Sequence, residues 1–362
     1  MVRRRLRRSA IGVSGVLVAL VSIALGVGCA LSAPTWHGQV SDHFTGERFT
    51  SPGGTARPGG FGSMGGLAAL LKWQRERQPG VWKAYREEPF GPPPPREVPL
   101  GAMRVTFINH ATTLIQLDGV NVLTDPIYAE RASPFDFVGP RRVRPPGVRF
   151  TDLPRIDAVV LSHNHYDHLN LATLKRIADT WPHVRFFTGL GIKAFLDAQG
   201  LPNVTELDWW DTREVGAITI HAVPNQHFSN RGIFDDDGTL WSAWVFDGQR
   251  GRAYFGGDTG YGPHFRRVYE KLGPMRLAVV PIGAFRPEWF MRAVHMSPPE
   301  AVQAVLDLHA GMAVPMHFGT FELADDGETE AVELLQQAVA QQPAPFVVLG
   351  FGEGRDVPEV QP

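Results

Sequence analysis

The run "IDAVVLSHNHYDHLN" (156–170) constrains this chain more than any other stretch. Its first half is short, β-branched and nearly uncharged, which reads as a buried strand. After it, apolar residues recur at Leu171, Leu174, Ile177 and Trp181, a helical period. His163, His165, Asp167 and His168 therefore fall on a strand-to-helix loop, where a rigid scaffold presents its chemistry. If the backbone stays extended past the strand, His163 and His165 point the same way. Asp167 and His168 come as the chain turns into the helix and face a second point nearby. Two imidazoles for one cation, and a carboxylate with an imidazole for another, is the arrangement implied. Nitrogen and oxygen ligands without thiolate suit zinc, with iron and manganese left open.

The 362 residues are 43% hydrophobic and 20% charged, enough for a large core. A net charge of −2 supplies no global field for nucleic acid. The single cysteine, Cys29, excludes an intrachain disulfide and a cysteine zinc site. Arg3, Arg4, Arg5, Arg7 and Arg8 precede an apolar stretch from Ala10 to Leu31. Basic residues before an apolar run favour export of the chain downstream of it. Residues 1–33 thus read as a signal peptide or a lipoprotein or membrane anchor, and the protein is expected outside the cytoplasm, anchored to the membrane of a bacterial cell envelope. The anchor is either a transmembrane segment or lipid on Cys29, whose context "LGVGCA" resembles a lipoprotein acylation site. Residues 34–99 read as a Gly/Pro-rich tether, flexible over 42–66, with one or two short helices in "LAALLKWQRERQPGVWKAYREE" and a stiff "PFGPPPPREVP" connector. "GFGSMG" satisfies a dinucleotide pattern but neither follows a strand nor opens a βαβ unit, so it is set aside.

Residues 100–357 form the expected catalytic domain. "MRVTFINHATTLIQLDGVNVLTDPIY" reads as three strands with a turn at Asp118-Gly119, and helices are expected at 170–181 and 298–309. Strand runs with interspersed helices favour an α/β or α+β layered domain. Three later residues, His227, Asp258 and His317, end further strand-like runs. If two metals bind, His163, His165 and His227 would hold one and Asp167, His168 and His317 the other, with Asp258 between them. His221 and His309 read as structural. "HMSPPEAV" carries a capping-box spacing, Ser297 to Glu300, which puts a helix start beside His295.

HxHxDH followed by His, Asp and His at strand ends resembles the metallo-β-lactamase superfamily. The stretches "HATTLIQLDGVNVLTDPIYAERASP", "GPRRVR", "ELDWWD", "PNQHFSNR", "GDTGYGP", "PIGAFRPEWFMRAVHMSPPEAV" and "MHFGTFELA" resemble one branch, the N-acyl-phosphatidylethanolamine-hydrolysing phospholipase D group. The resemblance implies an αββα sandwich and a zinc-dependent hydrolase with two zinc ions per chain. It implies a zinc-bridged hydroxide that releases phosphatidate and an N-acylethanolamine, at a membrane surface. It gives Tyr166 and His295 substrate contacts, with His295 binding phosphate or protonating the leaving oxygen, and lets Asp167 orient the attacking water. His110 and Asp125 would hold ligand tautomers in place. Trp209, Trp210, Trp289 and Phe290 would line an acyl groove or pack in the core. A lactonase, another small phosphodiesterase, or a non-catalytic lipid-binding envelope lipoprotein are the alternatives. A nucleic-acid partner is not expected, and homodimer formation is left open.

Overall fold

The computed structural model describes residues 26, 28–29, 31–52, 64–232 and 234–359. After a helix α1 (Met64–Glu76) and an extended segment, the chain enters a seven-stranded sheet. Here β1 (Met103–Asn109), β2 (Thr112–Leu117) and β3 (Val120–Thr124) pair antiparallel. The β2–β3 turn is the expected Asp118-Gly119, both at positive φ (52° and 79°), the pairing a two-residue hairpin needs. Then β4 (Ala158–Val160), helix α2 (Leu171–Thr180), β5 (Arg185–Gly189), helix α3 (Ile192–Ala198) and β6 (Val204–Leu207) add parallel strands.

The second sheet has six strands. β7 (Thr212–Val215), β8 (Ile218–Val223), β9 (Ala243–Gly248) and β10 (Gly251–Phe255) are antiparallel neighbours. β11 (Met275–Pro281) and β12 (Met312–Met316) run parallel to β10. Helix α4 (His264–Leu272) follows β10, while the short α5 (Glu288–Met291) and α6 (Pro298–Asp307) lie between β11 and β12. After β12 come α7 (Glu330–Gln341) and β13 (Gly354–Asp356), which pairs with β1.

Each sheet is apolar on both faces, so it needs a layer on each. Phe107, Ile115, Val122 and Phe187 meet Ile220, Trp244, Phe255 and Val279 between the sheets. Leu114, Leu123 and Val159 pack outward on Leu174, Ile177 and Leu196. Val245, Tyr254 and Val280 pack outward on Phe265, Val305 and Leu335. Each such fully buried side chain contributes roughly 1.5–3 kcal/mol. The result is the expected αββα sandwich.

The expectation of a flexible tether needs correcting. Among residues 42–52, Phe44 and Phe49 are buried with Leu240 and Trp241, beneath Trp36 and Trp209. Phe49 N–H donates to Asp237 O, and Ser51 Oγ donates to His227 O. These aromatic rings bury more apolar area than a solvated linker can leave exposed, so this part docks. Residues 64–99 contain one helix, then a strap bound along 325–328 and 143–147. Gly80 N–H donates to Asp325 O, Trp82 Nε1 to Asp326 O, and Gly91 N–H to Gly147 O. Arg86 and Arg144 both pair with the buried Glu328. Residues 53–63 and most of the expected anchor at 1–33 lie outside the described residues. Among the described residues, no helix is long and apolar enough to cross a membrane.

Candidate metal centre

The sandwich sends its strand C-termini to one edge, and every candidate ligand sits just past one of them. His110 follows β1, Asp125 follows β3, and the 163–168 cluster follows β4. His227, Asp258 and His317 come after β8, β10 and β12. His110, Asp125 and His317 have positive φ (45°, 34° and 65°), which costs a non-glycine residue of order 1 kcal/mol or more. Each lies where an extended chain turns abruptly, which aims its side chain back over the sheet edge. Gly257 lets the two sheets close up: a Cβ there would come within 2.3 Å of Ser162 Cβ.

The structure gathers these residues into two groups that meet at Asp258. In the first, His163, His165, His227 and Asp258 present ligand atoms all within 4.8 Å of one another. His163 Nε2 lies 2.7 Å from His165 Nδ1, which lies 3.3 Å from His227 Nε2. Asp258 Oδ2 is 3.9 Å from His163 Nε2 and 3.8 Å from His227 Nε2. In the second, Asp167, His168 and His317 converge, with His110 inside the same radius. Asp167 Oδ2 is 3.2 Å from His168 Nε2 and 3.4 Å from His317 Nε2. Asp258 reaches this group too: Oδ2 lies 3.1 Å from His168 Nε2 and Oδ1 3.0 Å from His317 Nε2. Tetrahedral zinc with nitrogen ligands at 2.0–2.1 Å has ligand–ligand edges of about 3.3 Å, close to these separations.

The opposite faces of the imidazoles are engaged by the protein. His163 Nδ1 is 2.9 Å from Ser162 Oγ, His168 Nδ1 is 2.7 Å from Asp125 Oδ2, and His227 Nδ1 donates to Val294 O at 2.9 Å. The inward atoms His168 Nε2, His317 Nε2 and Asp258 Oδ1 are buried without a hydrogen-bond partner. Orphaned buried acceptors beside fixed tautomers fit a metal centre. Burial pushes His163 and His227 well below the usual imidazole range, and His165 to about 3. Burial also opposes charge on the two aspartates, but His168 beside them holds both well below the carboxylate range. Burial opposes charge on His168 and His317 too, but the carboxylates around them together outweigh it: Asp258, Asp167 and Asp125 raise His168 well above its usual value, and Asp258 and Asp167 raise His317 to about 9. Two anionic carboxylates that collect positive charge from His168 and His317, beside the neutral imidazoles of His163, His165 and His227, suit a divalent cation, which would replace the protons on His168 and His317.

In front of this centre opens a cavity of about 220 Å³. Its floor is His165, Asp167, Asp258, His295 and His317, and its walls are apolar. His295 lies where the capping box puts it, with Ser297 and Glu300 reciprocally bonded at the start of α6. Its Nε2 is 3.9 Å from Asp258 Oδ2, and burial lowers its pKa to about 4.

Tyr166 is not at this cavity. Its hydroxyl donates to Arg231 O, and the Arg231 guanidinium lies 4.1 Å above its ring. Arg231 Nη1 also donates to Asn164 O and Leu169 O, so the pair braces the ligand loop from behind. The expected substrate contact thus has no place at this cavity, and the ring instead supports the ligand loop. Trp209 and Trp210 likewise miss the cavity: Trp209 stacks on His43 and Trp210 under Lys271. Phe290 lines it, with the half-exposed Trp289 against it. His221 lies on β8 with Asp247 nearby, and His309 stacks on Tyr269, both away from the centre. His110 sits closer than expected, its Nε2 3.0 Å from Asp167 Oδ2. Sequence reading missed Trp73, which reaches the cavity from α1; its spacing of three from Leu70 marked an apolar helix face but not what that face covers.

Comparison with known proteins agrees with this geometry. Residues 120–318 match the family described as "Beta-lactamase superfamily domain". An N-acyl-phosphatidylethanolamine-hydrolyzing phospholipase D of Caenorhabditis elegans is 39% identical over 263 residues, 68% of this chain and 74% of its own length. A metal-dependent hydrolase of Methanopyrus kandleri is 31% identical over 60% of this chain and 85% of its own. Among solved structures, a metallo hydrolase from Ignicoccus hospitalis superposes with a TM-score of 0.55 at 21% identity, over 71% of this chain and 99% of its own. The chain belongs to the metallo-β-lactamase superfamily of metal-dependent hydrolases, in the branch that resembles N-acyl-phosphatidylethanolamine-hydrolysing phospholipase D.

Proposed function

We propose that this protein hydrolyses the phosphodiester of N-acyl-phosphatidylethanolamine, releasing phosphatidate and an N-acylethanolamine. The observation that carries the reading is Asp258 at the floor of an apolar cavity: its Oδ2 faces His163 and His227 of one group and His168 of the other, and its Oδ1 faces His317. The likeness to the worm phospholipase D supports the choice of substrate. His163, His165 and His227 would hold one metal, Asp167, His168 and His317 the other, and Asp258 both. A zinc pair, when bound, supplies Lewis-acid polarisation of the phosphoryl group and a nucleophilic water at neutral pH.

The chain's own residues do the rest. Ser162 and Asp125 fix the outer nitrogens of His163 and His168, so their Nε2 atoms keep one direction. Asp167, held by His110, is placed to accept a hydrogen bond from the attacking water. The P–O bond to the ethanolamine oxygen breaks as water oxygen joins phosphorus; the proton the water loses passes by way of Asp167 and ends on the leaving oxygen, while the neutral His295 donates a hydrogen bond from Nε2 to a phosphoryl oxygen. The apolar walls exclude bulk water and take up hydrocarbon. Residues 1–33 would hold the domain at the envelope membrane where its lipid resides. Zinc-reconstituted full-length protein should convert vesicle N-acyl-phosphatidylethanolamine into both products, read by mass spectrometry. Turnover of phosphorylated lactones with none of the lipid would move the assignment to a lactonase.

A further inference from the structure

We propose that Trp73 limits the length of the apolar chain that the site accepts; the nature of that chain rests on the phosphodiesterase reading, the place of Trp73 on geometry alone. The indole lines the same cavity as the metal-site side chains, with Phe290, Met291 and Leu323 around the same space. It is 9% exposed and does not swing freely. Its Nε1 donates to Asp325 Oδ2 at 2.9 Å, its ring packs on Phe290 at 5.1 Å, and Arg77 covers its face at 5.4 Å. Asp325 is itself pinned by Arg77 Nε at 2.8 Å. A large side chain held on three sides is a fixed wall.

The cavity is small. About 220 Å³ is below the roughly 300–1,000 Å³ of pockets that bury a drug-sized ligand. It suits part of one hydrocarbon chain rather than the two chains of a diacylglycerol. The single-chain half of the proposed substrate is the N-acyl amide, which makes that chain the occupant. Trp73 belongs to α1, outside the 120–318 stretch that matches the family. This part of the wall is therefore supplied by the chain's own N-terminal segment, apart from the loops that carry the ligands.

The test uses zinc-loaded full-length protein and n-alkylphosphonates from ethyl to dodecyl, with binding measured by calorimetry. Affinity of the wild type should rise with each methylene that enters the cavity and then level off at a break. In Trp73→Ala the break should move to longer chains. The first methylene beyond the wild-type break should bind about fourfold tighter to the variant, the increment for burying one CH₂. Trp73→Phe keeps the stack on Phe290 and should move the break less; should Trp73→Ala fail to fold, this variant decides the matter. Coincident breaks in folded variants with unchanged metal content would overturn the proposal. Phosphonate binding needs no turnover, so failure to cleave any N-acyl lipid would overturn the proposed reaction and not this one.

Discussion

Asp125 Oδ2 lies 2.7 Å from His168 Nδ1, leaving only Nε2 of that imidazole to face Asp167 and Asp258. The carboxylate is itself held by Ser162, whose backbone N–H donates to Oδ1 and whose hydroxyl donates to Oδ2. Asp125→Asn turns one acceptor into a donor aimed at a nitrogen that already carries hydrogen. Metal affinity of the second group should fall about 10–100-fold, measured by competition with a chromogenic chelator. Wild-type affinity in that variant would remove Asp125 from the supporting role.

Elemental analysis should find two transition-metal equivalents per chain after zinc reconstitution. Chelation should also lower the unfolding temperature, because metal bound only by the folded state stabilises it by about 4 kcal/mol at a thousandfold excess over its dissociation constant. A stoichiometry that stays at one would defeat the dinuclear assignment.

His295→Ala should keep both metals and lose about 10²-fold or more in turnover, the scale of a proton-transfer or charge-contact group. Loss of a metal equivalent would make His295 a ligand, a role its place beside Asp258 and His317 allows. Unchanged kinetics would leave it as packing.

His43 ties the docked N-terminal segment to the domain. Burial lowers its pKa, but Asp208 at 2.7 Å and Asp42 at 2.6 Å more than offset this and hold it above 6.5. A raised folded-state pKa means that the contribution is complete below about 6.5 and is lost as pH climbs through the folded value. The difference in unfolding temperature between wild type and His43→Gln should therefore be largest in mild acid and shrink in alkali. A constant difference across that range would show that the ion pairs do not hold the segment.

Truncation should separate anchor from active site. Deleting residues 1–25 should move the protein from the membrane fraction to the soluble one, with cleavage of a water-soluble diester unchanged. Deleting 1–76 should cost activity even on that diester, since it also removes the Ser51 bond to His227 O and the Trp73 wall. Equal membrane partition of the full-length and 26–362 forms would exclude residues 1–25 as the anchor.

A layered α/β domain with its ligands at strand ends was legible in the sequence because those signals are local, whereas the αββα arrangement of the layers came only with the resemblance to a family. A β-branched run ending in HxHxDH, the Asp118-Gly119 turn and the Ser297–Glu300 box each depend on neighbours a few positions away. Those signals put His163, His165, Asp167, His168, His227, Asp258 and His317 at strand ends, and parallel strands bring such ends to one edge. What covers that edge was not local. Tyr166 alternates between two ligands, yet its ring turns to Arg231, 65 residues on. The Gly/Pro composition around Phe44 and Phe49 reads as a linker because turn residues look alike whether solvated or docked. Trp73 reads only as one more apolar residue of a short helix until Asp325, 252 positions away, fixes its indole over the cavity. Periodicity records that a side chain needs burial, but the surface that buries it is chosen only when distant segments meet.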